Sequence, residues 1–221
     1  MSHFGALGDI HGDFESARRI MERHREVPFW LCVGDVAGAG GEYEALPEPL
    51  YWIKGNNENF DLIAAGEFPA GLQCIPNGRM LEIMDVRIAG LGGTFAPTMY
   101  QLAAADLPHP RKASERATAL ADRRRHFVRE EVEACKAMQN IDVFLSHEAP
   151  KPFKAGRGIQ AGKDQINEVL AAMKPRLHLF GHHHRFDAFL VGGVRSVCLD
   201  LVGKSYLLVD RNTLEYRHLP T

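Results

Sequence analysis

The feature that most constrains this chain is a set of five short apolar segments, each followed within a few residues by an aspartate, asparagine or histidine. Short continuous apolar runs are typical of strands that are covered on both faces, and helical spacing in the segments between them indicates an α/β fold. The predicted strands of this set are Phe4–Leu7, Phe29–Val33, Leu50–Ile53, Asp142–Leu145 and Leu177–Phe180, and the predicted helices around them are Phe14–Arg25, Asn59–Ala65 and Asp164–Met173.

The remaining segments complete a pattern of two sheets with helices outside them. Turn residues separate three strand-like segments and predict a β-meander, and three or four further strands are predicted between Ala188 and Leu219. The meander strands are Leu72–Ile75, Met80–Met84 and Val86–Leu91, and Ala113–Met138 is predicted as one long charged helix after an irregular stretch at 94–112. No linker or repeat is evident, so residues 1–221 are predicted to form a single domain.

Composition limits the classes of protein to consider. Apolar residues make up 45% of the 221 residues and the net charge is -2, which indicates a globular chain without a general affinity for nucleic acid or anionic membranes. The sequence has no apolar run of membrane-spanning length, and its start lacks the features of a signal peptide. The four cysteines are widely spaced and predict buried thiols in a reducing compartment, so we expect a cytoplasmic protein.

The polar residues that follow the five strands are of the types that bind metal ions. They are Asp9 and His11, Asp35, Asn56 with Asn57, His147, and His182 with His184. Because side chains alternate along an extended backbone, the first pair is expected to point the same way, and the last pair likewise, with His183 turned away. Loops at strand ends in such folds gather into one site.

The number and types of these residues favour two cations over one. Imidazole nitrogen together with carboxylate and amide oxygen suits manganese, iron, zinc, cobalt or nickel. Without Asn57 these residues are seven candidate ligands, which exceed what one ion needs and fit two ions that share a bridging carboxylate. Taken singly, Gly34-Asp35 and Asn56-Asn57 are ordinary turn sequences and His147 an ordinary structural histidine. Their joint occurrence at five strand ends favours a metal site.

These motifs resemble those of the calcineurin-like metallophosphoesterase superfamily over nearly the whole chain. They are Gly8-Asp9-Ile10-His11, Gly34-Asp35, Gly55-Asn56, Ser146-His147 and Gly181-His182-His183-His184. The resemblance implies a four-layer α/β/β/α sandwich of two mixed sheets. It also implies two divalent ions, with manganese favoured and iron, zinc, nickel, cobalt or magnesium as alternatives. The implied ligands are Asp9, His11 and His184 for one ion, Asn56, His147 and His182 for the other, and Asp35 as the bridge.

The resemblance further implies hydrolysis of phosphodiester bonds by a metal-bridging hydroxide, with Asp35, His147 and Asn57 as catalytic residues. The substrate would be a small phosphate ester or a nucleotide. Many relatives have histidine where this chain has Asn57, which can orient a phosphoryl group but cannot act as an acid near neutral pH. His183 and His109 are candidate acids. The oligomeric state is open.

Two other functions are considered. Stretches 86–91 and 144–150 resemble lariat debranching enzymes, which suggests an RNA phosphodiesterase, although those enzymes usually carry cysteine where Asp9 stands and histidine where Asn57 stands. Some relatives keep the sandwich as non-catalytic scaffolds, usually with metal ligands missing, and none is missing here. A cluster of basic residues could contact a polyanionic substrate, but a solvated helix face is the favoured interpretation: Arg111, Lys112, Arg116, Arg123, Arg124, Arg125 and Arg129. Loop 151–162 is a candidate wall of the site.

Overall fold

The computed structural model describes residues 2–110 and 122–221. Within them, the α-helices are α1 (Phe14–Arg23), α2 (Phe60–Ala65), α3 (Arg129–Lys136) and α4 (Asp164–Met173). The strands are β1 (His3–Leu7), β2 (Trp30–Cys32), β3 (Leu50–Trp52), β4 (Leu72–Cys74), β5 (Met80–Ile83), β6 (Val86–Leu91), β7 (Val143–Ser146), β8 (Leu177–Phe180), β9 (Asp187–Val191), β10 (Val194–Cys198), β11 (Ser205–Asp210) and β12 (Tyr216–Pro220). Short 3-10 helices occupy Ala104–Asp106, Arg123–Arg125 and Gly156–Gly158.

The strands form two mixed sheets of six strands each. The first has the order β12-β11-β1-β2-β3-β4, and the second has the order β5-β6-β7-β8-β10-β9. Strands β1 to β4 run parallel to one another, and so do β6, β7, β8 and β10. Antiparallel pairs add the other strands: β11 pairs with β1 and β12 with β11 in the first sheet, and β5 pairs with β6 and β9 with β10 in the second. The carboxyl ends of the parallel strands β1, β2, β3, β7 and β8 therefore lead into the loops that carry the candidate ligands.

Alternate residues of the central strands belong to different layers of the core. On β2, Trp30 faces α1 whereas Leu31 faces the second sheet. On β7, Val143 and Leu145 face the first sheet whereas Phe144 packs with α3 and α4. All five side chains are fully buried, so both sheets are covered on both faces. The predicted four-layer α/β/β/α sandwich of two mixed sheets is confirmed.

The predicted long helix over Ala113–Met138 is wrong in the part that the structure describes. Its residues 113–121 lie outside the described ranges, and beyond them only α3 is an α-helix. Residues 126–128, directly before α3, are extended because Phe127 is buried in the outer core and its backbone N–H donates to Thr94 O at 3.1 Å. The Glu131 side chain then accepts from Val128 N and caps α3. Tertiary contacts thus override a helix-forming composition.

Most other predicted elements differ from the observed ones by one or two residues. The predicted helix at 164–173 and the strand at 177–180 have the observed bounds, and the tail contains the four strands β9 to β12. Neither of the two described ranges contains a helix that is long and apolar enough to cross a membrane. All four cysteines are free thiols, and Cys74 is the one that is only partly buried.

Candidate metal centre

The seven predicted ligand residues lie together where the two sheets share an edge. Asp9 and His11 follow β1, Asp35 follows β2, and Asn56 follows β3, all in the first sheet. The second sheet contributes the remaining three, which are His147 after β7 and His182 and His184 after β8. The structure therefore brings together residues that are separated by up to 175 positions in the sequence.

One group of candidate ligands consists of Asp9, His11 and His184, whose ligand atoms all lie within 4.8 Å of one another. His184 Nε2 is 3.1 Å from Asp9 Oδ2 and 3.1 Å from His11 Nε2. Asp9 is buried, whereas the two histidines are exposed. The Asp9 carboxylate also accepts from the backbone N–H of His182 at 3.1 Å, which ties the loop after β8 to the loop after β1.

A second group consists of Asp35, His147 and His182, again with all ligand atoms within 4.8 Å of one another. The rings of His147 and His182 lie 4.9 Å apart, and His147 Nε2 is 3.0 Å from Asn56 Oδ1. Asn56, Asp35 and His147 are buried, so this group is shielded from solvent more completely than the first.

Asp35 lies between the two groups. Its Oδ2 is 3.6 Å from His11 Nε2, and its Oδ1 is 3.7 Å from His147 Nε2. The backbone carbonyl of Asp35 accepts from the N–H groups of Ile10 and His11, at 3.0 and 2.7 Å, so the loops after β1 and β2 are joined as well. Each oxygen of one carboxylate thus faces a different set of imidazoles.

The donor atoms are arranged as a cation would require. His147 Nδ1 lies 2.8 Å from Val33 O and donates to it, because a backbone carbonyl can only accept. In the neutral ring, Nε2 then carries a lone pair, which faces the lone pairs of Asn56 Oδ1 at 3.0 Å. Two acceptors at this distance repel unless a proton or a cation lies between them, so Nε2 and Oδ1 are placed to share a metal ion. The residues present therefore fit a metal ion.

The charges of the second group favour an ionised Asp35. Burial alone would raise the pKa of this carboxyl, but His147, two hydrogen bonds from Asn57 and the nearby His11 together lower it. For His147, burial acts to lower the pKa, and the carboxylates of Asp35 and Asp9 outweigh it and raise the pKa. The two partners thus stabilise each other's charged forms before any cation is present.

The two histidines that follow β8 differ in their surroundings. A hydrogen bond to Asp9 raises the pKa of His184. Burial, followed by the repulsion of His147, lowers the pKa of His182 to about 4. His182 is therefore neutral at physiological pH, which is the form that coordinates metals.

The backbone of the site is strained in a way that strand alternation does not predict. His11, Asp35, His182 and His184 have φ values of 48°, 49°, 71° and 49°, in the left-handed region that non-glycine residues rarely adopt. These residues lie in loops beyond the strands. His182 and His184 belong to different groups of the same candidate centre, whereas His183 packs against Phe153. Left-handed residues that cluster in this way are typical of functional sites.

Two glycines allow the loops to approach the ligands closely. Gly34 has φ of 110°, and a Cβ there would lie 2.7 Å from His147 Nδ1. A Cβ at Gly55 would lie 2.0 Å from Asp35 Oδ1. Side chains at these positions would displace the ligands themselves, so the sequence needs glycine at both.

Glu58 organises the site, although sequence patterns do not predict this role. Its buried carboxylate accepts from the backbone N–H groups of Val36, Ala37 and Gly55, at 3.0, 3.2 and 3.1 Å, and from the Tyr43 hydroxyl at 2.9 Å. It therefore ties the loop that carries Asp35 to the loop that carries Asn56. Burial and then the charge of Asp35 raise its pKa to about 7. The one sequence signal for this role is the position of Glu58, an acidic residue directly after Asn56-Asn57.

The other predicted functional residues have varied positions. Asn57 is exposed, and its Nδ2 donates to Asp35 Oδ2 at 2.8 Å. His183 packs on Phe153 of loop 151–162, and burial lowers its pKa to about 4. His109 lies within 3.1 Å of Leu107 O and contributes to a separate depression. His183 is therefore neutral at physiological pH, and the described lining of the depression beside His109 includes no residue of the candidate metal centre.

A cavity of 540 Å³ adjoins the first group of ligands. Its described lining includes His11 and Asn57 on the side of the metal centre, Phe60 and Arg124 farther away, and the glycine-rich backbone of residues 38–41. Loop 151–162 does not contribute to the described lining. The cavity is large enough for a substituent of nucleotide size beside the metal centre.

Part of the predicted basic cluster can be placed relative to this cavity. Arg124 lines it, whereas Arg111, Lys112 and Arg116 lie outside the described residues.

A four-layer sandwich with two groups of nitrogen and oxygen ligands on its shared sheet edge is typical of metallophosphoesterases. Residues 2–186 match the sequence model of the calcineurin-like phosphoesterases, and the chain belongs to this family.

Individual relatives are distant. An uncharacterized protein of Haemophilus influenzae is 25% identical over 194 residues, which cover 80% of this chain and 81% of that protein. The structure of TT1561 of Thermus thermophilus has a TM-score of 0.61 at 13% identity and covers 99% and 98% of the two chains. The structure of a novel archaeal phosphodiesterase has a TM-score of 0.53 at 12% identity, with 99% of both chains covered. At these identities the structural similarities concern the fold.

Proposed function

We propose that this chain is a dinuclear metal-dependent phosphoesterase that hydrolyses phosphodiester bonds. The observation that carries the proposal is the position of Asp35, whose two oxygens lie 3.6 Å from His11 Nε2 and 3.7 Å from His147 Nε2. A carboxylate that faces two sets of imidazoles is suited to bridge two cations. Membership in the family supports hydrolysis of a phosphate ester.

The proposed ligands follow the two groups seen in the structure. Asp9, His11 and His184 would hold one ion, Asn56, His147 and His182 would hold the other, and Asp35 would be shared. Manganese remains the favoured metal, with iron, zinc, nickel, cobalt and magnesium as alternatives, because the donor set suits several ions. When bound, two divalent ions would supply positive charge to the phosphoryl oxygens and lower the pKa of a bound water.

The protein's own groups orient the reaction. In hydrolysis, the oxygen of water forms a bond to phosphorus while the ester P–O bond breaks, and the alcohol leaves with a proton. Asn57 is exposed beside Asp35, so its amide can also donate to a phosphoryl oxygen. Because the Asn57 amide cannot supply the proton of the leaving group, that proton would come from water or from another acid, and alcohols of low pKa should leave fastest.

The preference for diesters rests on the cavity beside His11 and Asn57. A phosphodiester carries a second substituent, which a cavity of 540 Å³ can accept. The substrate is proposed to be a small phosphate ester or nucleotide, acted on in the cytoplasm.

The RNA phosphodiesterase alternative gains no specific support. The two stretches that resemble debranching enzymes coincide with β6 and with β7 and the loop after it, which are core elements. Of residues 144–150, all are buried. A resemblance in the core reflects the shared fold and carries no information about the substrate. A non-catalytic scaffold would show metal binding without turnover.

The proposal is tested by hydrolysis of bis-p-nitrophenyl phosphate and p-nitrophenyl phosphate with manganese. Asp35→Asn and His147→Ala should each lower kcat/KM by at least about 1000-fold, because each removes a ligand of the proposed dinuclear centre. Asp85→Asn changes an exposed aspartate and is the matched control. Parental rates in both site variants would refute the proposal, and a higher kcat/KM for the monoester would refute the preference for diesters.

A further inference from the structure

Among the described arginines of the predicted basic cluster, Arg125 differs from its neighbours Arg123 and Arg124. The guanidinium of Arg124 already forms two ion pairs, with Asp122 at 2.6 Å and with Asp61 at 2.7 Å. Arg123 is exposed to solvent. Arg125 is partly buried, and its Nε is inaccessible to solvent and has no hydrogen-bond partner in the described parts of the chain.

The backbone of Arg125 is fixed to the loop that carries the metal ligand Asn56. The ammonium of Lys54 donates to the carbonyls on either side of Arg125, to Arg124 O at 2.9 Å and to His126 O at 3.2 Å. Lys54 is only two residues before Asn56. The carbonyl of Arg125 itself accepts from Thr94 N at 2.9 Å. These bonds hold the position of Arg125 relative to the metal centre.

The electrostatic surroundings of Arg125 connect it to the same centre. Burial lowers the pKa of this guanidinium, and Asp35, the proposed bridging residue, is the acidic group whose charge opposes that effect. Asp35 would be neutralised by cations in the loaded enzyme. A partly desolvated guanidinium without an ion pair is costly, and an anion that enters the site would offset this cost.

We propose that Arg125 is a substrate-binding residue that donates to a non-bridging oxygen of the phosphoryl group. The inference rests on the proposed function, since it assigns Arg125 to the phosphate ester of that reaction. The planar guanidinium presents several donors in a fixed arrangement, which matches phosphate oxygens better than an ammonium does. The Lys54 bonds to the flanking carbonyls would keep the backbone of Arg125 in place before substrate arrives.

The test compares Arg125→Ala and Arg125→Lys with Arg123→Ala, an exposed arginine of the same 3-10 helix. Binding of inorganic phosphate to the manganese-loaded proteins is measured by calorimetry, together with KM and kcat for bis-p-nitrophenyl phosphate and the manganese content. Arg125→Ala should weaken phosphate binding and raise KM by at least about tenfold at unchanged manganese content. Arg125→Lys should recover part of the loss, and Arg123→Ala should match the parent.

The outcomes separate this inference from the proposed function. Phosphate binding and KM equal to those of the parent in Arg125→Ala would overturn the inference even if the parent is an active hydrolase. Arg125-dependent phosphate binding without turnover would refute the proposed function alone. If Arg125→Ala fails to fold, Arg125→Lys decides, because parental phosphate binding in that variant would contradict a role for the guanidinium fork.

Discussion

His178 is a buried histidine whose two ring nitrogens are both used inside the second sheet. Ser146 donates its hydroxyl to Glu148 O, so His178 Nε2 donates to Ser146 Oγ at 2.8 Å and Nδ1 accepts from Ser196 Oγ at 3.1 Å. Burial lowers the pKa of His178 to about 3. Burial therefore holds the ring in its neutral form at physiological pH.

This pKa predicts a loss of stability in acid. Between the folded pKa of about 3 and the ordinary value of 6.5, the unfolded chain binds a proton that the folded chain does not, so stability falls as pH falls through this window. The contribution of His178 is about 2 kcal/mol at about pH 5. Urea unfolding near pH 7.5 and near pH 5 should show a pH effect that is smaller by this amount in His178→Gln.

His3→Gln, at a histidine near the surface, controls for the loss of a histidine as such. An unchanged pH effect in His178→Gln would mean that the ring does not titrate with folding.

At the scale of single residues, the sequence identifies the candidate metal ligands more readily than the residues that support them. Asp35 and His147 are recognisable because each follows an apolar strand and belongs to a group of metal-binding residue types that recurs at five strand ends. Glu58 and Arg125 are not, because what distinguishes them is burial and the presence or absence of partners from other loops. Such properties arise only when the chain is folded. The role of Asn57 beside Asp35 likewise depends on a contact across loops.

The elements that position the site are the loops after β1, β2, β3, β7 and β8, which interlock through backbone groups. The sequence predicts where these loops begin, since the strands are apolar and the breaks are sharp. It does not predict their left-handed residues at Asp35 and His182, which follow from the crowding of loops from two sheets. The extended segment before α3 escapes prediction for a similar reason, because Phe127 is buried by the fold.

Gly34 allows a direct test of this crowding. Gly34→Ala should destabilise the protein by at least about 3 kcal/mol, the sum of a left-handed backbone cost and overpacking. It should also weaken manganese binding at least about tenfold, because the new methyl would contact His147 Nδ1. Urea unfolding and metal titration would measure the two effects.

Gly66→Ala is the matched control, since Gly66 has φ of 69° but a Cβ added there would have no atom within 4 Å. It should cost about 1–2 kcal/mol without any change in manganese affinity. Equal manganese affinity in the two variants would show that close packing at Gly34 does not support the metal centre.

At the scale of the whole molecule, the proposed centre joins the two sheets. Asp9, Asp35 and Asn56 come from the first sheet, and His147 and His182 come from the second. The sequence predicts a sandwich because its strands are apolar on both faces. The residues alone do not predict how the two sheets pack or at which edge the candidate ligands meet. That expectation came from the resemblance to a family.

This arrangement predicts a single cooperative unfolding transition for residues 1–221. Trp30 and Trp52, the two tryptophans of the chain, are both buried in the first sheet, so their fluorescence reports on that sheet, whereas circular dichroism reports on both. The midpoints should coincide, and manganese at about 100 times its Kd should raise both by about 5–10 °C. Asp35→Asn should remove the shift. Separate transitions, or a shift in one signal alone, would contradict a single domain.

The pairing of β1 with β11 has a consequence for how the protein is made. His3 lies opposite Asp210 in the register of these strands, so almost the entire chain separates them. On a ribosome, every proposed ligand up to His184 would emerge before β11 does. The nascent chain would then carry a full set of metal-binding side chains while β1 still has an open edge. Capture of the ions is accordingly expected to be a late step in biogenesis, after translation has delivered the strand that closes the first sheet.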